Sequence, residues 1–97
     1  MRKFIFIIYN VAIESKVTEV LEKLDIKTYT KINRIHGVGT HSVPHLDTNV
    51  WPGVNNAFLI AVEEIVKEKI LEEMKKLKVS YRKEGIKIFV IPLEEVI

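Results

Sequence analysis

Phe4 to Tyr9 is an unbroken β-prone run, the pattern of a central strand covered on at least one face. Asn10 can begin the turn out of it. From Glu14 to Leu24 the spacing changes: Val17, Val20, Leu21 and Leu24 recur at helical intervals, and Glu14, Lys16, Glu19, Glu22 and Lys23 fill the other side. This predicts a first amphipathic helix. Lys27 to His36 is rich in Thr, Ile and Tyr with poor helical periodicity, which predicts a second strand, partly facing solvent, ended by Gly37 and Gly39. Val38 to Val54 holds Gly39, Gly53, Pro44 and Pro52 and fits no regular element. Loops of this length in a small domain are uncommon and usually functional or disordered.

The second half repeats the order. Ala57 to Val62 reads as a third strand. Glu63 to Leu77 reads as a second helix whose stripe is Val62, Val66, Ile70, Met74 and Leu77, widened by Ile65 and Leu71. Glu63–Lys67 and Glu72–Lys76 are i, i+4 pairs in the favourable order. Val79 to Gly85 is a basic connection, Ile86 to Ile91 a last strand closed by Pro92, and Leu93 to Ile97 a short tail. The order βαββαβ defines an α+β, ferredoxin-like sandwich over residues 1–97: a four-stranded antiparallel sheet with both helices on one face. The opposite face has no helix to cover it, and copies of the same chain are the simplest cover.

Composition narrows the function classes. At 97 residues the chain is expected to form one domain, and so small a protein leaves about a third or more of its unfolded-chain surface exposed. Apolar residues make up 47% and charged ones 29%, values of a folded, soluble protein. A net charge of +2, with acidic and basic residues interleaved, argues against nucleic acid as a partner. The absence of cysteine excludes disulfides, thiolate metal sites and cysteine nucleophiles. The opening apolar run is too short to span a membrane, and no small-residue cleavage site follows it, so a cytoplasmic location without membrane insertion is expected.

Two segments are more particular. Lys87-Ile88-Phe89-Val90-Ile91-Pro92-Leu93-Glu94-Glu95-Val96 resembles the last strand and following residues of the nitrogen regulatory PII family. Ile32-Asn33-Arg34-Ile35-His36-Gly37-Val38-Gly39 resembles that family's strand leading to Gly-x-Gly at the base of its long T-loop. The resemblance implies a homotrimer whose sheets line the centre. It also implies nucleotides or other small effectors in the clefts between subunits, and a T-loop, here 38–54, that touches a regulated protein partner. Lys87 matches the family's ligand-contacting lysine in register. Three departures stand beside it. The connection Ser80 to Ile86 holds a single glycine, out of register, where nucleotide-binding members are glycine-rich. Thr40 replaces the arginine after Gly-x-Gly. The arginine-bearing C-terminal extension does not follow Ile97. With no tyrosine in 38–54, regulation by tyrosine nucleotidylation is not implied either.

Several residues carry candidate chemistry. His36, His41 and His45 lie within ten residues of one another, followed by Asp47. Imidazole and carboxylate suit Zn²⁺, Ni²⁺ or Cu²⁺, although the spacing fits no established zinc motif and the same residues suit loop-shaping hydrogen bonds. Trp51-Pro52-Gly53 is a rigid turn whose aromatic can stack on a base, anchor a partner or pack back onto the domain. Arg82, Lys83 and Lys87 surround Gly85 and, with amides near Gly37 and Gly39, can bind phosphate or carboxylate. The acidic pairs Glu63-Glu64, Glu72-Glu73 and Glu94-Glu95 read as solvated surfaces. No nucleophile elbow, Walker motif or dinucleotide fingerprint occurs.

The leading expectation is therefore a non-enzymatic, trimeric PII-like regulator. It would bind a small anionic metabolite or nucleotide near Gly37, Gly39, Arg82 and Lys87, and present Trp51 and His45 to a partner. The alternative is a metal-binding, CutA-like module using His36, His41 and His45 on a divalent ion. An inter-subunit enzyme with His41 and Asp47 as acid–base groups comes third.

Overall fold

The structure, a computed structural model, describes residues 2–37 and 54–97. Within them the chain forms β1 (Arg2–Asn10), a single 3-10 turn (Val11–Ile13), α1 (Glu14–Lys23), β2 (Thr30–Ile35), β3 (Asn55–Glu63), α2 (Glu64–Ser80) and β4 (Ile86–Pro92). The strands make one antiparallel sheet in the order β2-β3-β1-β4. The expected α+β, ferredoxin-like sandwich is thus the fold.

Alternation along the strands sets the two faces. Ile5, Ile7 and Tyr9 of β1, Phe58 and Ile60 of β3 and Ile86 of β4 are buried against Ile13, Val17, Val20 and Leu21 of the first helical layer and Ile70 and Met74 of the second. Phe58 is the centre of a short aromatic ladder. It stacks on Tyr9 at 5.3 Å between centroids and meets Tyr29 edge-on at 4.8 Å. The alternate residues Phe4, Phe6 and Ile8, with Leu59, Phe89, Ile91 and Ile32, face the other side. There Phe89 and Ile91 are each 47% exposed and Ile32 is 38% exposed.

The helices differ from expectation at their ends for identifiable reasons. The Asn10 side chain accepts the Ala12 N–H at 2.9 Å and caps the 3-10 turn, so the first helical layer begins three residues early. α1 closes on a Schellman motif: Asp25 N–H donates to the Glu22 carbonyl, Ile26 N–H to the Leu21 carbonyl, and Asp25 sits at φ 58°. The chain needs the residues after it to cross from the helix layer to the sheet edge. β2 accordingly starts at Thr30, not Lys27.

Glu63 is extended and pairs with Arg2 in the sheet, so α2 starts one residue later and runs a turn further, to Ser80. Two further sequence expectations are corrected. Ile65 lies outside the core at 66% exposure. The helix ion pairs shift to Glu64–Lys67 and Glu73–Lys76, and Glu73 also takes Lys23 of α1 at 3.1 Å, bridging the two helices.

Candidate functional site

Four strand ends meet at one end of the sheet: the close of β1 at Asn10, the exit of β2 toward Gly37, the entry of β3 at Asn55, and the entry of β4 at Ile86. Backbone bonds tie them. Asn10 N–H donates to the Gly85 carbonyl at 3.3 Å and Val11 N–H to the Val54 carbonyl at 3.0 Å. Gly85, at φ 79°, makes the turn into β4 in a conformation that favours glycine.

The sequence-derived ligand residues gather at this end but on different parts of it. Lys87 stands opposite Ile8, which puts it on the open face as an exposed cation beside Ile8 and Phe89. Arg82 lines a small cleft of about 130 Å³ with Lys78, Tyr81, Gly85 and Ile86. Lys78 Nζ donates to the Ile86 carbonyl at 2.8 Å across that cleft. Ile86 is buried on the helix side, so the cleft and Lys87 are offered to opposite sides of β4. Gly37 follows β2, at the far edge of the sheet. Three inter-strand spacings separate the β2 and β4 edges, roughly 14 Å at ~4.8 Å each. Among the described residues nothing within 4 Å would meet a Cβ at Gly37, so none of them requires glycine there. Gly39, His41, His45, Asp47 and Trp51 lie outside the described residues. Of the histidine cluster only His36 is described, and among the described residues no three His, Cys, Asp or Glu side chains gather into a metal-binding group.

Sequence reasoning missed Lys78 and Tyr81, because it ended the second helix at Leu77. It also missed the main polar cluster at this end of the sheet. Glu14 Oε1 accepts from Tyr9 Oη at 2.6 Å, Asn56 Nδ2 at 2.9 Å and Lys31 Nζ at 2.9 Å. One carboxylate at the start of α1 therefore engages β1, β3 and β2. The Tyr9 hydrogen bond, reinforced by those from Lys31 and Asn56 against a smaller opposing effect of burial, holds the Glu14 carboxyl at about 2. Burial, together with the Glu14 carboxylate beside it, pushes the Tyr9 phenol well above its ordinary range. Tyr9 thus remains a donor and Glu14 an acceptor throughout the physiological range. Among the described residues, every buried side-chain nitrogen or oxygen has a hydrogen-bond partner. The signal available in sequence was Asn56, a polar residue opening an apolar strand.

A groove of about 410 Å³ lies at the other end of the open face between Arg2, Phe4, Thr28, Tyr29, Thr30, Leu59 and Ala61. It is far from Lys87 and continuous with the apolar face.

The chain matches the family described as nitrogen regulatory protein P-II over residues 2–97, and it belongs to that family, whose members are generally regulators and not enzymes. No curated protein matches it. Among solved structures it is similar to CPII, a nitrogen regulatory PII-like protein from Thiomonas intermedia K12 bound to ADP, AMP and bicarbonate. That likeness has a TM-score of 0.74 and 21% identity over 92% of this chain and 82% of that one. It is similar also to a protein of unknown function from Pediococcus pentosaceus ATCC 25745, with TM-score 0.69 and 16% identity over 98% and 94% of the two chains. A DUF3240 family protein from Shewanella baltica OS155 gives TM-score 0.71 and 12% identity over 98% and 92%. At these identities the likeness is one of fold. No helix among the described residues is long and apolar enough to cross a membrane.

Proposed function

We propose that the protein is a cytoplasmic, trimeric PII-like regulator that binds an adenine nucleotide or another small anion at its subunit clefts. Through residues 38–54 it regulates a partner protein. The observation that carries this reading is the separation of the candidate ligand residues. Gly37 and Lys87 share one end of the sheet yet stand at its opposite edges, roughly 14 Å apart at ~4.8 Å per strand spacing. A neighbouring copy that packs on the open face would bring the β4 edge of one chain toward the β2 edge of the next. The apolar character of that face supports such packing, since exposed apolar surface of this kind marks association. Lys87 would then supply the charge that an anion requires at the seam.

CPII binds ADP, AMP and bicarbonate, which supports this ligand class. The chain itself supplies fewer phosphate-binding glycines than the resemblance implies, and the charge facing an anion at the open-face seam falls to Lys87. Isothermal titration with ADP, AMP and bicarbonate, singly and in pairs, tests the proposal. Saturable binding at one site per chain, weakened at least about tenfold by Lys87→Ala, is the expected result. No binding by any of the three, or affinity unchanged in Lys87→Ala, contradicts it.

A further inference from the structure

We infer that Glu14 is a positioning residue: acting through Asn56, it sets which side of the β2 edge the residues leading to Gly37 emerge on. The argument begins with a register break. Thr30, Lys31 and Ile32 pair regularly with Leu59, Phe58 and Ala57, but Ile35 pairs with Asn55, so β2 carries one extra residue between Ile32 and Ile35. Arg34, inside that bulge, sits at φ 58°, a left-handed conformation that non-glycine residues adopt only when their surroundings impose it. The imposing group is Asn56, whose Oδ1 accepts the Arg34 N–H at 3.0 Å.

Glu14 decides the orientation of that amide. Asn56 is buried, and its other end meets the ionised Glu14 carboxylate, which only accepts hydrogen bonds. The Nδ2 group must therefore point to Glu14, and Oδ1 must point to Arg34. The relay runs from a carboxylate on α1, through an amide on β3, to a backbone N–H on β2. Tyr9 and Lys31 fix the carboxylate on either side of it.

The consequence follows from the period of a strand. A one-residue bulge transfers every later side chain to the other face. Removing the extra residue's support would let β2 continue in register, and Ile35, His36 and Gly37 would exchange faces. Glu14 and Asn56 thus act on the candidate ligand edge from a distance. The structural part of this inference stands alone, and only its effect on ligand affinity rests on the regulator reading.

The test uses the full chain and three variants. Asn56→Asp keeps an acceptor oxygen but replaces the Nδ2 donor by a second carboxylate oxygen, so that repulsion from Glu14 displaces the side chain from the Arg34 N–H. Glu14→Gln is the gentler change, since a glutamine oxygen still accepts but can no longer hold Lys31 by charge. Arg34→Gly frees the bulge from its dependence on Asn56. In Asn56→Asp, hydrogen exchange at the Arg34 amide should accelerate by about tenfold or more relative to the Ile5 and Ile7 amides. Glu14→Gln should give a smaller change of the same kind. Adding Arg34→Gly to Asn56→Asp should leave β2 pairing restored, seen as recovered protection at Ile32 and Ile35.

Titration with ADP forms the second readout. The affinity should fall in Asn56→Asp and recover in the double variant. Uniform acceleration of all amides, unchanged exchange at Arg34, or failure of Arg34→Gly to rescue would each overturn the inference. If the unaltered protein binds none of ADP, AMP and bicarbonate, the regulator reading fails while the exchange result still decides the role of Glu14.

Discussion

The two faces of the sheet are made from the same four strands and from neighbouring residues, yet they are finished differently. On one, Ile5, Ile7, Tyr9, Phe58 and Ile60 are sealed by α1 and α2. On the other, Phe4, Phe6, Ile8, Phe89 and Ile91 offer an equally apolar surface on which no described element lies. The hydrophobic effect acts on both, but the chain satisfies it locally on only one. The difference teaches that folding of the chain and the proposed packing of copies on the open face would draw on separate sets of residues, so substitutions on the two sides should fail in different ways.

The largest expected effect is on the sealed face. Phe58→Ala removes a side chain buried between Tyr9 and Tyr29 and should cost about 3–5 kcal/mol in urea unfolding at fixed protein concentration. Phe89→Ala on the open face should cost far less in subunit structure and act on assembly. Equal losses of secondary structure in both would break the comparison.

Acid offers a second test, on the polar end of the sealed face. The Glu14 carboxyl is held at about 2 when folded, against an ordinary 4.5. Below the ordinary value the unfolded chain takes up the proton first. The stabilisation is therefore complete above about pH 4.5 and disappears as pH falls toward 2. It should amount to about 2–3 kcal/mol, after allowance for the partial exposure of the side chain. Unfolding measured from pH 6 to pH 2.5 should show this loss, and Glu14→Gln should remove most of that slope. An unchanged slope would mean that the Tyr9, Asn56 and Lys31 contacts contribute little.

Smaller effects sharpen the picture. Asp25 occupies the left-handed C′ position of α1, so Asp25→Gly should stabilise by about 0.5–1 kcal/mol in thermal or urea melts. Gly37→Ala should lie within about 0.5 kcal/mol of the unaltered protein, because its Cβ meets none of the described residues. A weakened ADP affinity in that same variant would place Gly37 at the ligand seam. A large loss of stability would instead give Gly37 a role in the subunit's own fold.

The element order was legible because hydrophobic period is a local property. Ile5-Ile7-Tyr9 and Val17-Val20-Leu21 declare their faces from spacing alone. The helix ends were less legible: Asn10 reads equally as a turn residue or as a cap for the Ala12 N–H, and the extended backbone of Glu63 depends on its pairing with Arg2, distant in sequence. Lys87 and Gly37 could be singled out by resemblance and Arg82 by its charge beside Gly85, but their distribution over opposite edges follows from strand order. No short motif records strand order. The Glu14 cluster was invisible for the same reason: it joins residues from β1, α1, β2 and β3 whose pairing only the folded sheet creates. Glu14 by itself reads as an ordinary charged residue at the start of a helix, and Arg34 as an ordinary strand residue.

The account turns on the open face being a surface for copies of this chain. Multi-angle light scattering of the purified protein, alongside Phe89→Glu, tests this most directly. A mass of three chains that falls to one chain in the variant, with the circular dichroism of the subunit kept, is the predicted result. A single-chain mass for the unaltered protein across micromolar concentrations would contradict it.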